Sequence, residues 1–330
     1  MNVLYTCDNN YIWIMGISMI SLYENNKNTK ELNVYLLGDN ITDENKKILK
    51  DIASKYDREC FIIDTPKFNI PEVLCSKRWP ISAFTRLFSG QLLPKNLDKI
   101  LYLDCDTIIN DDISDIWDIN VKENIFFGVK DCISKAYKKN IGLNEDSVYV
   151  NAGVLLINLD ELRKVDITKA IEEYLCKYVN YINYADQDIL NGIFGKSMGV
   201  LNPEYNVMTI LAEYEYRHIL NLRFPTNYYS KEEVHLALQN PKIIHYTTCM
   251  LSVRPWFSNS NHPYMNVFRK YMDMSIWEDK KLEEFKFNTK ESKLLANMSK
   301  LPKDIEVKLL GLLHAGLKPM YIRTIAKMKG

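Results

Sequence analysis

The order of strand-like and helix-like segments in the first hundred residues restricts the fold more than any other feature. Short apolar runs typical of strands are NVLYT (2–6), LNVYLLG (32–38) and CFIID (60–64). The segments between them, residues 11–23 and 41–56, are predicted as helices, and Thr42 suits the N-cap of the second. A strand–helix–strand–helix order predicts an α/β fold around a parallel sheet.

The pattern continues along the chain. SAFTRLFSGQLL (82–93) predicts a helix and KILYLD (99–104) a fourth strand. Further segments are predicted as strands or helices from the same periodicities. The strands are ENIFFGVKD (123–131), VYVNAGVLLINL (148–159) and PKIIHYTT (241–248), and the helices are DITKAIEEYLCKYVNYI (166–182) and DQDILNGIF (186–194).

Charge and cysteine usage exclude several classes of function. The 42 basic residues equal the 42 acidic ones, which argues against a nucleic-acid-binding protein because such a protein needs a clearly basic face. The seven cysteines form no CxxC pair, so neither a disulfide framework nor a zinc cage is indicated, and we expect reduced thiols. We also expect neither an export signal nor a transmembrane helix, and therefore a cytoplasmic location.

Two carboxylates follow the fourth strand directly. Asp104 and Asp106 are two residues apart, so in an extended chain both point to one face while Cys105 turns away. Like charges that close need a cation between them or a shared proton, which indicates a metal site or a carboxylate nucleophile with a partner acid. The strand's carboxyl end is where open α/β sheets bind ligands, although an Asp-rich surface turn would give the same letters.

Other polar residues allow both a functional and a structural interpretation. A second pair, Asp186 and Asp188, opens a predicted helix and could cap it. His245 could be a hydrogen-bonded core residue, or the imidazole that completes a Mn²⁺ site. Arg86, flanked by apolar residues, needs an anion, which could be a structural Asp or a phosphate.

A polar cluster also follows the first strand. Asp8, Asn9, Asn10 and Tyr11 could form a turn with an Asx cap. They could equally recognise a base and its ribose, since that needs an aromatic ring, amides and a carboxylate.

Six motifs, taken in order and spacing, resemble glycosyltransferase family 8, in particular bacterial lipopolysaccharide α-galactosyl- and α-glucosyltransferases. They are DNNY, RLFSGQLLP followed by LDKILYLDCDTIINDDISDIWD, VNAGVLLINLDELR, ADQDILNGIF, LNPEYNVM, and IIHYTT with RPW. The resemblance covers residues 2 to about 257. It implies a GT-A fold, which is a single Rossmann-like nucleotide-sugar domain with a mixed central sheet. It also implies a UDP-galactose or UDP-glucose donor, Mn²⁺ with Mg²⁺ as the alternative ion, and an α-linked product formed with retention.

The resemblance also implies a role for individual residues. The metal ligands would be Asp104, Asp106 and His245. The nucleotide would be bound by Thr6, Asp8, Asn10, Tyr11, Asp104 and Cys105, with Tyr11 stacked on uracil. The donor sugar would be surrounded by Arg86, Asn151, Ala152, Asp186 and Gln187. Gln187, Asp186 and, as a further donor-site carboxylate, Asp131 would be the catalytic residues.

One segment departs from the family pattern. Where the family has a short Gly-containing loop and Lys-Pro-Trp after its His, this chain has HYTTCMLSVRPW, which lacks the glycine and carries Arg254 in place of lysine. Arg254 can still bind the leaving diphosphate. An amide such as Gln187 is a poor nucleophile, so front-face return is favoured over double displacement.

Two other functions remain open on the sequence alone. LYLDCDT resembles the motif of haloacid-dehalogenase-like phosphatases, with Asp104 as nucleophile. A non-catalytic sugar-nucleotide-binding protein is the second, and the altered loop is its support.

The composition changes near the end of the chain. Residues 280–330 carry 12 basic and 5 acidic residues among Leu, Ile, Met and Tyr. We expect a GT-A domain over residues 1–257 and a basic helical region over 258–330. That region could lie on an anionic membrane, which would suit a glycolipid rather than a free saccharide acceptor, or pack on the main domain.

Overall fold

The structure is a computed structural model that describes residues 1–65 and 82–329. Its strands are β1 (Asn2–Asp8), β2 (Asn33–Asp39), β3 (Glu59–Asp64), β4 (Lys99–Leu103), β5 (Thr107–Ile109), β6 (Phe126–Lys130), β7 (Val150–Asn158), β8 (Met198–Val200), β9 (Val207–Met208) and β10 (Ile243–His245). Its α-helices are α1 (Ile12–Asn25), α2 (Asp43–Ser54), α3 (Ser82–Thr85), α4 (Ser89–Leu92), α5 (Lys135–Asn140), α6 (Leu159–Leu162), α7 (Ile167–Tyr178), α8 (Ala185–Phe194), α9 (Thr209–Glu213), α10 (Tyr216–Arg223), α11 (Lys231–Gln239), α12 (Met265–Met272), α13 (Lys290–Met298), α14 (Lys303–Gly311) and α15 (Lys318–Lys329).

The main sheet has the strand order β3-β2-β1-β4-β7-β6-β8. β1 to β4 are parallel, whereas β7 is antiparallel to both β4 and β6. The parallel sheet expected from the alternation of elements is therefore wrong for β7. The connection from β6 to β7 spans residues 131–149 and includes α5, yet the chain returns beside β6 in the opposite direction instead of crossing over to a parallel position. The mixed sheet implied by the family resemblance is confirmed.

The apolar runs of the strands are explained by burial on both faces of the sheet. Leu101 and Leu103 of β4 belong to one core cluster, while Ile100 and Tyr102 belong to the cluster on the other face. Strands covered on both sides read as continuous apolar sequence rather than as an alternation. The polar residues at their ends are therefore placed at the sheet edge.

A second sheet, with the order β5-β10-β9, forms beside the end of β4. β10 is antiparallel to β5, with His245 opposite Thr107, and parallel to β9, with His245 opposite Met208. This small sheet brings residues far apart in sequence to the carboxyl end of the main sheet.

Most of the predicted elements exist, with shorter bounds. Thr42 caps α2 by accepting a hydrogen bond from the Asn45 backbone N–H at 3.3 Å, as predicted. The helix predicted over residues 82–93 is two short helices, α3 and α4, joined by a 3₁₀ turn (Arg86–Phe88). Residues 195–240, for which no elements are predicted, contain β8, β9 and the helices α9 to α11.

The C-terminal region is helical, as expected, and packs on the rest of the molecule. Val307 and Leu310 of α14 are fully buried in the main core, and a π-helical turn (Leu312–Leu317) joins α14 to α15. None of the described helices is both long enough and apolar enough to cross a bilayer. The six cysteines in the described ranges are unpaired, and Cys75 lies outside those ranges.

Candidate active site

Asp104, Asp106 and His245 form one cluster at the carboxyl end of the sheet. One ligand atom from each lies within 4.8 Å of the others. His245 Nε2 is 3.2 Å from Asp106 Oδ1 and 3.6 Å from Asp104 Oδ2. The convergence predicted for the two aspartates is confirmed, and His245 joins them.

The local backbone explains this convergence differently from the sequence analysis. β4 ends at Leu103 and the two aspartates lie in a turn before β5, so they are not successive residues of an extended strand. The Thr107 N–H and hydroxyl both donate to the Asp104 carbonyl, at 3.2 and 2.8 Å. The Tyr246 N–H donates to the Asp106 carbonyl at 3.0 Å, which fixes β10 against the turn.

Asn206 orients the His245 ring. The amide nitrogen of Asn206 donates to Asn151 Oδ1 at 2.9 Å, so its oxygen faces His245 Nδ1 at 3.0 Å and accepts a hydrogen bond from it. When Nδ1 carries the proton in the neutral ring, the lone pair of Nε2 points toward the two carboxylates. Asn206 is completely buried and was not singled out from the sequence, although it lies in the quoted motif LNPEYNVM.

The charged groups of this cluster lie close enough to shift one another's pKa. Burial disfavours an ionised Asp106, but His245 and Arg254 outweigh it and hold the pKa of Asp106 at about 2. Burial likewise disfavours a charged His245, and the two carboxylates overcome it, which raises the pKa of the imidazole. Without a metal the carboxylates therefore favour a proton on His245 Nε2, and a bound cation would replace that proton.

Gly153 leaves the space that the cluster occupies. A Cβ at this position would overlap His245 Cε1 and lie 2.7 Å from His245 Nδ1 and 2.8 Å from Asp104 Oδ2. The Gly153 carbonyl accepts a hydrogen bond from the Asp104 N–H at 2.7 Å. Close backbone approach therefore accounts for the glycine of VNAG.

Arg86 bridges the two sequence-predicted acidic pairs. Its guanidinium lies 3.0 Å from Asp104 Oδ1 and 3.0 Å from Asp186 Oδ2, and donates to the Ala152 carbonyl at 2.6 Å. It also lies over the ring of Tyr102 at 4.2 Å, and the Tyr102 hydroxyl donates to Asp104 Oδ1 at 2.6 Å. The anions predicted for this buried arginine are thus carboxylates in the structure.

The pKa of the Asp186 carboxyl is shifted upward by its surroundings. Burial raises its pKa to about 6, although Arg86 opposes the shift. Asp188 has a different environment, because its carboxylate accepts hydrogen bonds from Tyr149 and Tyr137 and from two backbone N–H groups before α8. The second acidic pair therefore divides into one residue at the site and one that caps and supports α8.

Gln187 is held on both ends of its amide. Its Oε1 accepts from Asn151 Nδ2 and from the Ala152 N–H, both at 3.1 Å. Its Nε2 donates to Asp131 Oδ2 at 3.0 Å and to the Tyr149 hydroxyl at 3.1 Å. The predicted donor-sugar residues and Asp131 thus form one network.

The predicted nucleotide residues lie at the end of β1. Tyr11 is 41% exposed, and Asp8 accepts a hydrogen bond from the Asn10 N–H at 2.8 Å, which is the Asx cap considered above. Thr6 hydrogen-bonds to the Tyr102 hydroxyl at 3.1 Å, and Cys105 Sγ lies 3.6 Å from the Thr6 carbonyl. These contacts connect the end of β1 to the turn that carries the two aspartates.

Arg254 also contacts the cluster formed by Asp104, Asp106 and His245. Its Nη2 is 3.4 Å from Asp106 Oδ2 and donates to Thr248 Oγ1 at 3.1 Å. The guanidinium also lies 5.2 Å from the centroid of Trp256. A cation therefore lies beside Asp106 despite the altered loop.

A cavity of about 240 Å³ opens beside this network. Its walls include Asp131, Asn151, Gln187, Tyr184 and Arg223. Tyr184 and Arg223 were not predicted to be functional, since nothing in their local sequence distinguishes them from core or surface residues.

Comparison with known proteins agrees with this geometry. Residues 2–260 match the family described as glycosyl transferase family 8. A lipopolysaccharide 1,2-glucosyltransferase of Escherichia coli is 28% identical over 287 residues, which cover 84% of this chain and 79% of that protein. General stress protein A of Bacillus subtilis (strain 168) is 24% identical over 280 residues, which cover 84% of this chain and 94% of that protein.

Solved structures show the same fold. The galactosyltransferase LgtC, in complex with donor and acceptor sugar analogues, has a TM-score of 0.68 at 24% identity and covers 84% of this chain and 96% of its own. GlyE of Streptococcus pneumoniae TIGR4 has a TM-score of 0.59 at 21% identity and covers 91% of this chain and 64% of its own. The chain belongs to glycosyltransferase family 8 and has a GT-A fold.

Proposed function

We propose that this protein transfers a hexose, galactose or glucose, from a UDP-sugar to a saccharide or glycolipid acceptor. The new linkage is α, the anomeric configuration is retained, and the reaction belongs to the synthesis of cell-surface polysaccharide or lipopolysaccharide. Family membership supports a glycosyltransferase, and the names of the lipopolysaccharide enzymes among its relatives support these sugars and this pathway. Family membership also overturns the phosphatase alternative with Asp104 as nucleophile.

The observation that carries the proposal is the cluster of Asp104, Asp106 and His245 next to the Gln187 network. Two carboxylate oxygens and a neutral imidazole nitrogen fit Mn²⁺, with Mg²⁺ as the alternative. The three side chains would hold the ion, and when bound it supplies a Lewis acid for the donor diphosphate.

The surrounding residues would bind the rest of the donor. Tyr11 is free to stack on uracil, and Asp8, Asn10, Thr6 and Cys105 would contact the uridine beside it. In the donor-sugar pocket, Arg86 would orient Asp186 through the ion pair described above. Arg254 would stabilise the negative charge of the departing UDP.

The hydrogen bonds of Gln187 favour front-face return. Two N–H donors already bind its amide oxygen, which lowers the nucleophilicity of a group that is weak to begin with. In front-face return the bond from C1 to the diphosphate oxygen breaks and the acceptor oxygen bonds to C1 on the same side. The acceptor proton moves to the departing phosphate oxygen.

Mass spectrometry of the intact protein tests this mechanism. After incubation with donor and quenching, we expect no hexose attached to Gln187 or Asp186. A hexosyl adduct on either residue would overturn front-face return. An NMR spectrum of the product tests retention independently.

The non-catalytic alternative rests on the altered loop. Arg254 keeps a cation near Asp106 in that loop, which supports an active enzyme. Metal-dependent release of UDP from a UDP-hexose distinguishes the two.

The C-terminal helices suggest where the enzyme acts. Leu312, Leu317, Met320 and Tyr321 are each more than half exposed in a basic segment. We propose that this segment associates with the anionic cytoplasmic face of a membrane, where a glycolipid acceptor would be available. The division into domains at residue 257 stays a prediction.

A further inference from the structure

Arg223 presents a cation to the cavity beside the Gln187 network. It is the last residue of α10, where the helix dipole favours a positive charge, and it lines the cavity together with Asp131 and Tyr184. Its guanidinium lies next to the Tyr184 phenol. Among residues 1–65 and 82–329, no carboxylate lies within 4.0 Å of it.

The other two arginines of the site differ in this respect. Arg86 contacts Asp104 and Asp186, and Arg254 contacts Asp106. A guanidinium withdrawn from water is stabilised by an anion that faces it, and Asp131 acts on Arg223 from beyond ion-pair distance rather than in contact with it.

The positive region continues from Arg223 toward the C-terminal helices. A small pocket contains Arg223, His314 and Lys318. Burial, and then the positive charges of Arg223 and Lys318, lower the pKa of His314, so these groups are close enough to act on one another. Glu291 is the acid that acts on His314 in the opposite direction.

We propose that Arg223 binds an anionic group, a phosphate or a carboxylate, on the acceptor saccharide. The proposal rests on the proposed transferase function and names the chemical class of its acceptor. The guanidinium of Arg223 would donate two N–H groups to the oxygens of the carboxylate or phosphate. Lys318 would add a positive charge from the adjoining pocket.

The charges around the site favour the acceptor over the donor as the source of this anion. In the proposed function the donor diphosphate is already bound by Arg254 and by the metal that Asp104, Asp106 and His245 would hold. Asp186, in the predicted donor-sugar pocket, would repel a uronic acid in the donor, whereas Asp131 lines the same cavity as Arg223 and does not discriminate between the two substrates. A second anion at Arg223 therefore belongs to the other substrate.

Binding of matched sugars tests the proposal. Dissociation constants are measured by saturation-transfer NMR for glucose, glucose 6-phosphate and glucuronate, and for the three galactose counterparts. The protein is first saturated with UDP and Mg²⁺, which is diamagnetic. For at least one acidic sugar we expect binding roughly tenfold or more tighter than for its neutral parent. The phosphate and carboxylate arms show which oxyanion is bound.

Variants show whether Arg223 is responsible. Arg223→Met should abolish the preference for the acidic sugar, and Arg223→Lys should retain part of it. Arg217→Met is the matched control, because Arg217 is an exposed arginine of the same helix that pairs with Glu215. Equal binding of acidic and neutral sugars by the wild type, or a preference that survives in Arg223→Met, would overturn the proposal.

Two further measurements separate the possible failures. UDP binding is recorded first for every variant, and its absence in the wild type would contradict the transferase function itself. Hydrolysis of UDP-glucuronate is compared with that of UDP-glucose. A preference for UDP-glucuronate that disappears in Arg223→Met would assign the anion to the donor and overturn the acceptor assignment.

Discussion

Asn206 accepts a hydrogen bond from His245 Nδ1 at 3.0 Å, and this contact leaves His245 Nε2 facing Asp106 at 3.2 Å. The ligand tautomer of the histidine is therefore set by a buried amide 39 residues away in sequence. A hydrogen-bond acceptor on the ring nitrogen that does not bind the metal orients the imidazole and increases its basicity.

Asn206→Leu should weaken metal binding. Leucine fills a similar volume but accepts no hydrogen bond, so the ring loses its orientation and its fixed tautomer. We expect Mn²⁺ affinity in the presence of UDP to fall by about 10- to 100-fold, measured from free Mn²⁺ by electron paramagnetic resonance. Asn202→Leu, at an exposed position of the same segment, should bind normally. Unchanged affinity in folded Asn206→Leu would contradict the orienting role.

Gly153→Ala should disrupt the same cluster by steric overlap. The added methyl group would meet the buried His245 ring and Asp104, whose carboxylate is held by Arg86 and the Tyr102 hydroxyl. We expect loss of Mn²⁺ binding and a decrease of about 1–3 kcal/mol in the free energy of unfolding. Gly316→Ala is the control, since no atom lies within 4 Å of a Cβ there. A Gly153→Ala protein with normal Mn²⁺ affinity would show that the site is less crowded.

The stability of the protein should depend on pH through Asp186. Burial raises the pKa of this carboxyl from 3.8 to about 6, so between these values the folded protein keeps a proton that the unfolded chain releases. The free energy of unfolding therefore decreases as the pH rises through this window. Asn does not titrate, so wild type should lose about 2–3 kcal/mol relative to Asp186→Asn between pH 4 and 7.5.

Denaturant unfolding of both proteins with chelator present measures this difference. The exposed Asp111→Asn variant serves as the control and should show no such trend. A stability difference between wild type and Asp186→Asn that is constant with pH would mean that Asp186 is ionised throughout this range.

The residues that the sequence identified at the site share one property. Asp104, Asp106 and the residues of DNNY follow apolar strands directly, so local pattern was sufficient to place them at the sheet edge. His245 and Arg86 were ambiguous from local pattern, and family resemblance rather than physical argument assigned them. Their packing partners settle their environment in the structure.

The residues that the sequence analysis missed act through contacts between distant segments. Asn206, Tyr102 and Tyr149 orient site residues, but each reads locally as an ordinary core or loop position. The antiparallel β7 was missed for a related reason, because strand direction depends on how the connection crosses the sheet. The 3₁₀ turn at Arg86 could not be predicted, because the apolar residues of 82–93 have the same spacing with or without it.

The exposed apolar side chains of the last helix and of the π-helical turn before it should mediate membrane association. Replacing Leu317, Met320 and Tyr321 together by Ser should lower binding to anionic phospholipid vesicles by roughly tenfold. These side chains are more than half exposed, so the fold should be retained, whereas truncation would remove the buried Val307. Leu236→Ser on α11 is a control at a similarly exposed leucine. Equal flotation of the triple variant and wild type would contradict the membrane proposal.

The proposed function makes hexose transfer from a UDP-sugar dependent on the cluster of Asp104, Asp106 and His245. It is tested most directly by UDP release from purified protein offered a panel of UDP-hexoses, with Mn²⁺ and with chelator, beside Asp106→Asn. We predict slow hydrolysis of UDP-galactose or UDP-glucose that requires the metal and falls by at least about 100-fold in Asp106→Asn. UDP release that is equal with chelator and in Asp106→Asn, or a wild type that binds no UDP, would contradict the claim.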